Sequence, residues 1–374
     1  MFASLGAYGH LYPMMPLALA CAEADHEVVI ATGEPFLQRL SLTTVPGYPQ
    51  NLELDWVIRE SRRRHPDLHA DEFILATFAD VVAEKVAPTM IEQCQLLRPD
   101  FVIYEGMARR GRGSQCVGHS RSRVRDRADD DFYTALHSMT VGYQRDVWLR
   151  RGCTPPEQNG LLSATMINPT PPSIGRGETQ VPTIPIRSVA YNESSAGVPG
   201  WLRSPRTRPR VYLTLGTVSF GAVEVLSRAI SEIAPFDVEI LVAVGPEGEP
   251  AALGELPGNM HVERFVAQSE VLPLVDLIVH HGGTGTVLGA LEVGLPQLLL
   301  PQGADQFINA EILIAAGAVR ALSNDAQQPG AIGEAVQALL GDCPEREAAS
   351  RLRAEIVSMP APVDVVPVLI ELAR

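Results

Sequence analysis

Positive charge is in short supply in this chain: 30 basic residues stand against 44 acidic ones, for a formal net charge of −14. A nucleic acid or an anionic membrane surface would repel such a chain, so neither is expected as a partner. One small anion held in a local pocket is untouched by that argument. Lysine is scarcer still, with Lys85 alone among many arginines, which reads as a GC-rich coding bias and not as a function. The cysteines, Cys21, Cys94, Cys116, Cys153 and Cys343, are odd in number and scattered, with no CxxC pair and no Cys/His cluster. That excludes a disulfide framework and a zinc site and points to reduced thiols. No apolar run is long enough to span a bilayer. "MMPLALACAEA" has the apolar look of a secretory leader, but the first basic side chain is Arg39, and His10 and two prolines interrupt the pattern, so a signal peptide is rejected. The expected location is the cytoplasm.

What is present is an ordinary globular composition, 46% hydrophobic with a mean hydropathy of +0.07. At 374 residues the chain suits two domains better than one core. The first half opens with a short strand, "MFASL", and a glycine turn, "GAYGHLYP". A helix from about Met14 to Ala24 and a buried strand, "HEVVIAT", follow. Helices are expected at Asp71–Glu84 and Pro88–Leu97, leading into the strand "DFVIYE". Between Asn168 and Arg210 the composition shifts to Pro, Gly, Ser and Arg, which reads as an interdomain connection. A second series then begins: strand "RVYLTLG", a helix from about Val223 to Ile233, and the strands "VEILVAVG", "MHVERF", "LIVHHG" and "PQLLLP", with helices between them. Buried strands alternating with helices predict an α/β fold of two doubly wound, Rossmann-like domains facing a cleft. Ligands of such sheets bind beyond the carboxyl ends of the strands.

"LIVHHGGTGT" places a histidine pair and a glycine turn between a buried strand and a helix starting near Thr286. A helix N-terminus offers unpaired N–H groups and partial positive charge to a phosphate. Gly282, Gly283 and Gly285 permit close backbone approach, Thr284 and Thr286 add hydroxyls, and His281 can donate to a diphosphate oxygen. A helix cap with two merely buried histidines is the plainer alternative. Asp305-Gln306, after the next strand, comes to the same side of the sheet and favours the ligand reading. At the other end, His10 lies in a turn between strand and helix, where it caps the helix, packs on Tyr12 or faces a ligand.

The whole run "FVAQSEVLPLVDLIVHHGGTGTVLGALEVGLPQLLLPQGADQFINAEILIAAGAV", with the N-terminal turn and "NPTPPSIGRGE", resembles the nucleotide-sugar signature of antibiotic-type glycosyltransferases. These are inverting enzymes of the GT-B fold, and the nearest likeness is to those that decorate macrolide, glycopeptide and enediyne products, the calicheamicin type in particular. The resemblance implies an acceptor-binding domain over 1–200 and a donor-binding domain over 205–358. It also implies a C-terminal helix, within 359–374, that returns to the first domain. It implies that His281, Gly283, Thr284, Gly285 and Thr286 bind the diphosphate and that Gly216 and Thr217 reach it from the opposite strand end. Asp305 and Gln306 would hold sugar hydroxyls, and the Val266 backbone would meet the base. Phe265 and Ala267 stand where relatives often carry Trp and Pro. Gly289 stands where plant users of UDP-sugars place a glutamate on the ribose, which favours a dTDP-sugar over a UDP-sugar as co-substrate. His10, in "GHLYP", would be the base that deprotonates an acceptor hydroxyl, since histidine ordinarily titrates near neutral pH. No metal and no cofactor are implied, the acceptor is a hydrophobic small molecule, and no feature specifies an oligomer.

Two stretches depart from that family. Gly106–Ala128 is arginine-rich and aperiodic where an apolar helix is the rule, which suggests either a solvated loop or a shifted reading frame. It removes the expected acidic partner of His10, for which Glu105 is the nearest candidate. Family members also carry two or three more residues before "FASLG", and Asp25 replaces a helix-ending glycine, a change its tolerance of the left-handed conformation eases. Acceptor choice is expected in loops of the first half, Gln50–Leu75 among them. Two other readings share the fold: a sugar-nucleotide binder without transfer activity, and a nucleotide-sugar epimerase. An epimerase would need no acceptor, and the "GHLYP" turn counts against it.

Overall fold

The computed structural model describes residues 1–68, 72, 73, 76–105, 115, 116, 145–147, 149, 150, 152, 165–175, 182–192, 197–216, 222–245, 248–254, 256–303, 305–323 and 328–372. Two sheets organise them. The first holds β1 (Phe2–Ala3), β2 (Ile30–Thr32), β3 (Gly47–Pro49), β4 (Ile103–Glu105), β5 (Gln115–Cys116), β6 (Met166–Asn168) and β7 (Thr183–Pro185), in the order β3-β2-β1-β4-β5-β6-β7. Neighbours run parallel except β5, which is antiparallel to both β4 and β6. The second holds β8 (Arg210–Thr214), β9 (Glu239–Ala243), β10 (Met260–Glu263), β11 (Leu277–His280), β12 (Gln297–Leu299) and β13 (Val319–Ala321). Its order is β10-β9-β8-β11-β12-β13, parallel throughout.

In both sheets the direction of winding reverses beside the first strand, between β1 and β4 and between β8 and β11. Such switch points open a crevice at the carboxyl edge, where ligands bind. His10 follows β1 and Glu105 ends β4; Gly216 follows β8 and His281 follows β11. The candidate residues of each half therefore flank its own crevice.

Alternation along the strands builds the second domain. Val211 and Leu213 face the core shared with the helices Ala222–Ile233 and Ala331–Leu340, while Tyr212 faces the opposite core with Leu272 and Ala290. The C-terminal helix Pro362–Leu372 leaves this domain and places Val365, Val366 and Leu369 in the first core, against the helix Met15–Glu23. Between the domains, Arg210 is buried and donates to the carbonyls of Leu202 and Ser204 at 2.7 and 2.8 Å, fastening the connection to the second sheet. Among the described residues no helix is long and apolar enough to cross a membrane.

Several expectations change. The stretch 168–210 expected as connection contains β7, which adds an edge strand to the first sheet through β6. With Pro182 before it and Pro185 as its last residue, that strand carries no periodic signal, and an edge position tolerates proline. The gap expected between Glu84 and Pro88 is absent: one helix runs Ala83–Leu97 with Pro88 inside it, directly after a π-helical stretch, Thr77–Val82. Leu54–Arg64, expected within a loop, is a helix that buries Val57 against Val81 and Val82. Asp25 adopts φ +61°, the left-handed conformation the replaced glycine would have taken. The arginine-rich segment 106–128 lies outside the described residues apart from 115 and 116, and so does Thr217.

Candidate active site

The two adjacent histidines of "LIVHHGG" have separate tasks. His280 is fully buried at the end of β11; the Gly282 N–H donates to its Nδ1 at 3.1 Å, and its Nε2 lies 2.9 Å from Gln297 Oε1. An accepting Nδ1 puts the ring proton on Nε2, which donates to Gln297, so the ring is a neutral strut between β11 and β12. Burial, with His281 adding to it, pushes its pKa down to about 3, while the Gln297 bond pulls the other way. The plainer reading of a buried histidine holds for His280.

His281 instead turns into the crevice. A Cβ built on Gly283 would stand 2.4 Å from its Nε2, and one on Gly216 2.6 Å from its Cε1, so the imidazole lies between two glycines that leave room only for a hydrogen. Gly216 also has φ +83°, which disfavours any other residue there. The His281 Nδ1 is buried with no hydrogen-bond partner among the described residues. Burial lowers its pKa to about 4 against the opposing pull of the Asp305 carboxylate, so at neutral pH it is an uncharged donor-acceptor ring.

The helix Thr284–Glu292 starts beside it. Its N-cap Gly283 contributes no side-chain bond, so the protein itself does not cap the first turn. Thr284 Oγ1 donates to Asp305 Oδ2 at 2.8 Å, and Thr286 Oγ1 donates to Gln268 Oε1 at 3.5 Å; Gly285 is exposed. Asn309 Nδ2 donates to the Gly282 carbonyl (2.9 Å) and lies 3.1 Å from Thr284 Oγ1 and 3.2 Å from Asp305 Oδ2. Gln306 is buried, and its Oε1 accepts from the Gln302 and Gly303 N–H groups at 2.7 and 3.1 Å. Its oxygen thus braces the 302–303 turn, leaving the amide NH2 as the group a ligand can engage. Val266 is buried behind the partly exposed Phe265.

Sequence reasoning missed Asn309, Gln297 and Gln268. Asn309 was within reach, since it follows Asp305 by one helical turn and shares its face; nothing local distinguishes the other two.

Across the crevice, His10 lies partly buried in a single helical turn, Tyr8–Leu11, after β1, its N–H donating to the Ala7 carbonyl at 3.1 Å. Tyr8 of that turn meets Phe265 of the second domain with ring centroids 5.5 Å apart, so the two carboxyl edges face each other. The arrangement can hold an anion at the second edge and present an imidazole from the first.

Two family models match the chain: erythromycin biosynthesis protein CIII-like, N-terminal domain, over residues 19–216, and the corresponding C-terminal domain over residues 227–372. Among curated relatives, an L-demethylnoviosyl transferase of Streptomyces niveus is 30% identical over 377 residues, covering 97% of this chain and 95% of the relative. A 10-deoxymethynolide desosaminyltransferase of Streptomyces venezuelae is 30% identical over 418 residues, covering 100% and 96%. Among solved structures, the glycosyltransferase SnogD of Streptomyces nogalater superposes with a TM-score of 0.75 at 25% identity, covering 100% of this chain and 98% of that one. The glycosyltransferase VinC, solved in complex with dTDP, shares the fold with a TM-score of 0.77 at 23% identity, covering 100% and 98%.

Proposed function

Since the chain belongs to the erythromycin biosynthesis protein CIII-like family, antibiotic glycosyltransferases of the GT-B fold, we propose that it transfers a deoxysugar from a dTDP-sugar to a hydroxyl of a polyketide-type aglycone, enediynes included. The observation that carries the donor half is the His281 ring bedded between Gly216 and Gly283 at the start of the helix Thr284–Glu292. A neutral imidazole donor, threonine hydroxyls and the positive end of a helix suit a diphosphate without a protein cation. Gly289 supports thymidine over uridine: a Cβ there would lie 3.3 Å from Leu272 Cδ1 and 3.5 Å from Gln268 Nε2, and glycine at this position offers no carboxylate to a ribose 2′-hydroxyl.

In the proposed reaction His10 accepts the proton of the acceptor hydroxyl as that oxygen bonds to the anomeric carbon. The bond from that carbon to the phosphate oxygen breaks in the same displacement, and its electron pair leaves with the dTDP. The anomeric centre inverts because attack and departure are in line. His281 and the first-turn N–H groups stabilise the charge that grows on the leaving diphosphate, joined by the Thr284 and Thr286 hydroxyls once these turn from Asp305 and Gln268. Asp305 and the Gln306 amide hold sugar hydroxyls.

The test is calorimetry with dTDP and UDP, followed by mass spectrometry of incubations with dTDP-deoxysugars and a panel of polyketide aglycones. Tighter dTDP binding and a glycoside of inverted anomeric configuration are expected. Absence of affinity for either nucleotide overturns the reading; binding without transfer to any aglycone leaves a sugar-nucleotide-binding protein.

A further inference from the structure

One contact belongs to neither edge alone. Tyr8 opens the turn that carries His10, and its ring lies 5.5 Å from that of Phe265 with the planes 34° apart. Within the first domain Tyr8 is fixed edge-on by Tyr12 (5.1 Å) and Phe36 (5.0 Å), and the Arg39 guanidinium stands 5.0 Å from its centroid. Tyr12 meets Tyr191 of the interdomain connection at 5.0 Å, and the next residue, Asn192, donates to Ser269 Oγ. The segment Phe265–Ser269, which runs into the helix Gln268–Val271, is thus gripped at its first residue from the first domain and at its last from the connection. Between them Gln268 accepts from Thr286 of the donor helix. Two rings 5.5 Å apart are in direct contact and admit no third ring between them. A planar base therefore has to use the face of Phe265 that Tyr8 leaves uncovered.

We propose that Tyr8 is a positioning residue for the nucleobase of the donor: it sets the Phe265 ring against which the pyrimidine stacks, and through the same contact base occupancy is joined to the turn bearing His10. This rests on the nucleoside diphosphate reading above. The contact acts on the base end of the donor only, since the diphosphate meets the helix Thr284–Glu292 and His281. Tyr8 works through its ring, so phenylalanine replaces it and alanine does not.

The test titrates wild type, Tyr8→Ala, Tyr8→Phe, Phe265→Ala and the Tyr8→Ala/Phe265→Ala double variant with dTDP and with inorganic pyrophosphate. Tyr8→Ala is expected to weaken dTDP about tenfold, as loss of an aromatic contact does, while pyrophosphate affinity stays as in wild type. Tyr8→Phe restores dTDP binding, and the double variant binds dTDP no worse than Phe265→Ala alone. At saturating donor, kcat of Tyr8→Ala also falls. Unchanged dTDP affinity in Tyr8→Ala overturns the proposal, as does an equal loss for both ligands or full additivity in the double variant. Should Tyr8→Ala not fold, Tyr8→Leu takes its place in the same series. A wild type that binds pyrophosphate and dTDP equally overturns the base subsite itself, and one that binds neither overturns the donor reading, so the two failures are distinguishable.

Discussion

At the carboxyl edge of the second sheet, Gly282, Thr284, Asp305 and Asn309 are joined by hydrogen bonds that span at most 27 residues of chain. At the first edge the partners come from far apart. Asp80, almost fully buried, accepts at 2.7 Å from Arg150 Nη2, 70 residues away, and Tyr12 packs on Tyr191. One edge is a compact, pre-formed cradle of neutral groups around one carboxylate, Asp305. The other is aromatic and ionic, assembled from helices that cover the sheet. A fixed cradle suits an invariant ligand part such as a diphosphate, because preorganised donors need no rearrangement on binding. A wall of separate helices can change with the acceptor while the cradle stays as it is.

The sharpest break of that comparison is His10→Ala, which acts at the first edge alone. It is expected to lower kcat by roughly 10²–10⁴-fold, the usual worth of a general base, with dTDP affinity unchanged by calorimetry. Loss of both together would place His10 in the donor cradle and merge the two edges.

Gly283→Ala acts on the second edge. Its Cβ would sit 2.4 Å from His281 Nε2, so the ring must leave its bed. A displacement of that kind in a packed site costs on the order of 2–3 kcal/mol, or roughly 100-fold in dTDP affinity. Thermal unfolding of the apoprotein separates a lost ligand site from a lost fold.

Gln297→Leu tests whether His280 is a strut. It strands the buried Nε2–H of His280, and unfolding stability should drop by about 1–3 kcal/mol. Donor affinity is expected to follow only weakly, because His281 and not His280 is the proposed diphosphate donor.

A further test of the second edge is in pH. His280 and His281 have folded-state pKa values of about 3 and about 4, below the usual 6.5. Between those values the unfolded chain binds more protons, so both histidines contribute stability that is complete above pH 6.5. That contribution is lost as the pH falls through the folded values. Urea titrations from pH 7 to 4 should show it, and His280→Gln should flatten the slope. A slope unaffected by that variant would assign the acid sensitivity to carboxylates held low by arginine and backbone N–H groups, such as Glu232 and Glu345, instead.

The carboxyl edge of the second sheet was readable from sequence because its parts are local. Strand, glycine turn, helix and Asp-Gln pair follow in order, and a parallel sheet with short connections brings successive strand ends to one side. The cover of the first sheet was not readable. Leu54–Arg64 has one apolar turn and then Arg62, Arg63 and Arg64, with no side-chain cap at Glu53 to announce it. Its charges make sense only beside Glu60, Asp80 and Glu84, the last two from a different helix. The edge strand β7 is too short and proline-rich to carry a pattern, and it exists because β6 offers it a partner.

By itself the chain of residues determined the two wound sheets and the carboxyl-edge placement of His10, His281 and the Thr284 turn. These follow from periodicity and turn chemistry, both of which act over a few residues. Only the tertiary structure decided which histidine of the pair is a strut and which lies between two glycines. It also set Asn309 as the hub of the cradle and brought Tyr8 onto Phe265. Those assignments depend on groups distant in sequence meeting within a few ångströms, where sterics and desolvation set each side chain's role.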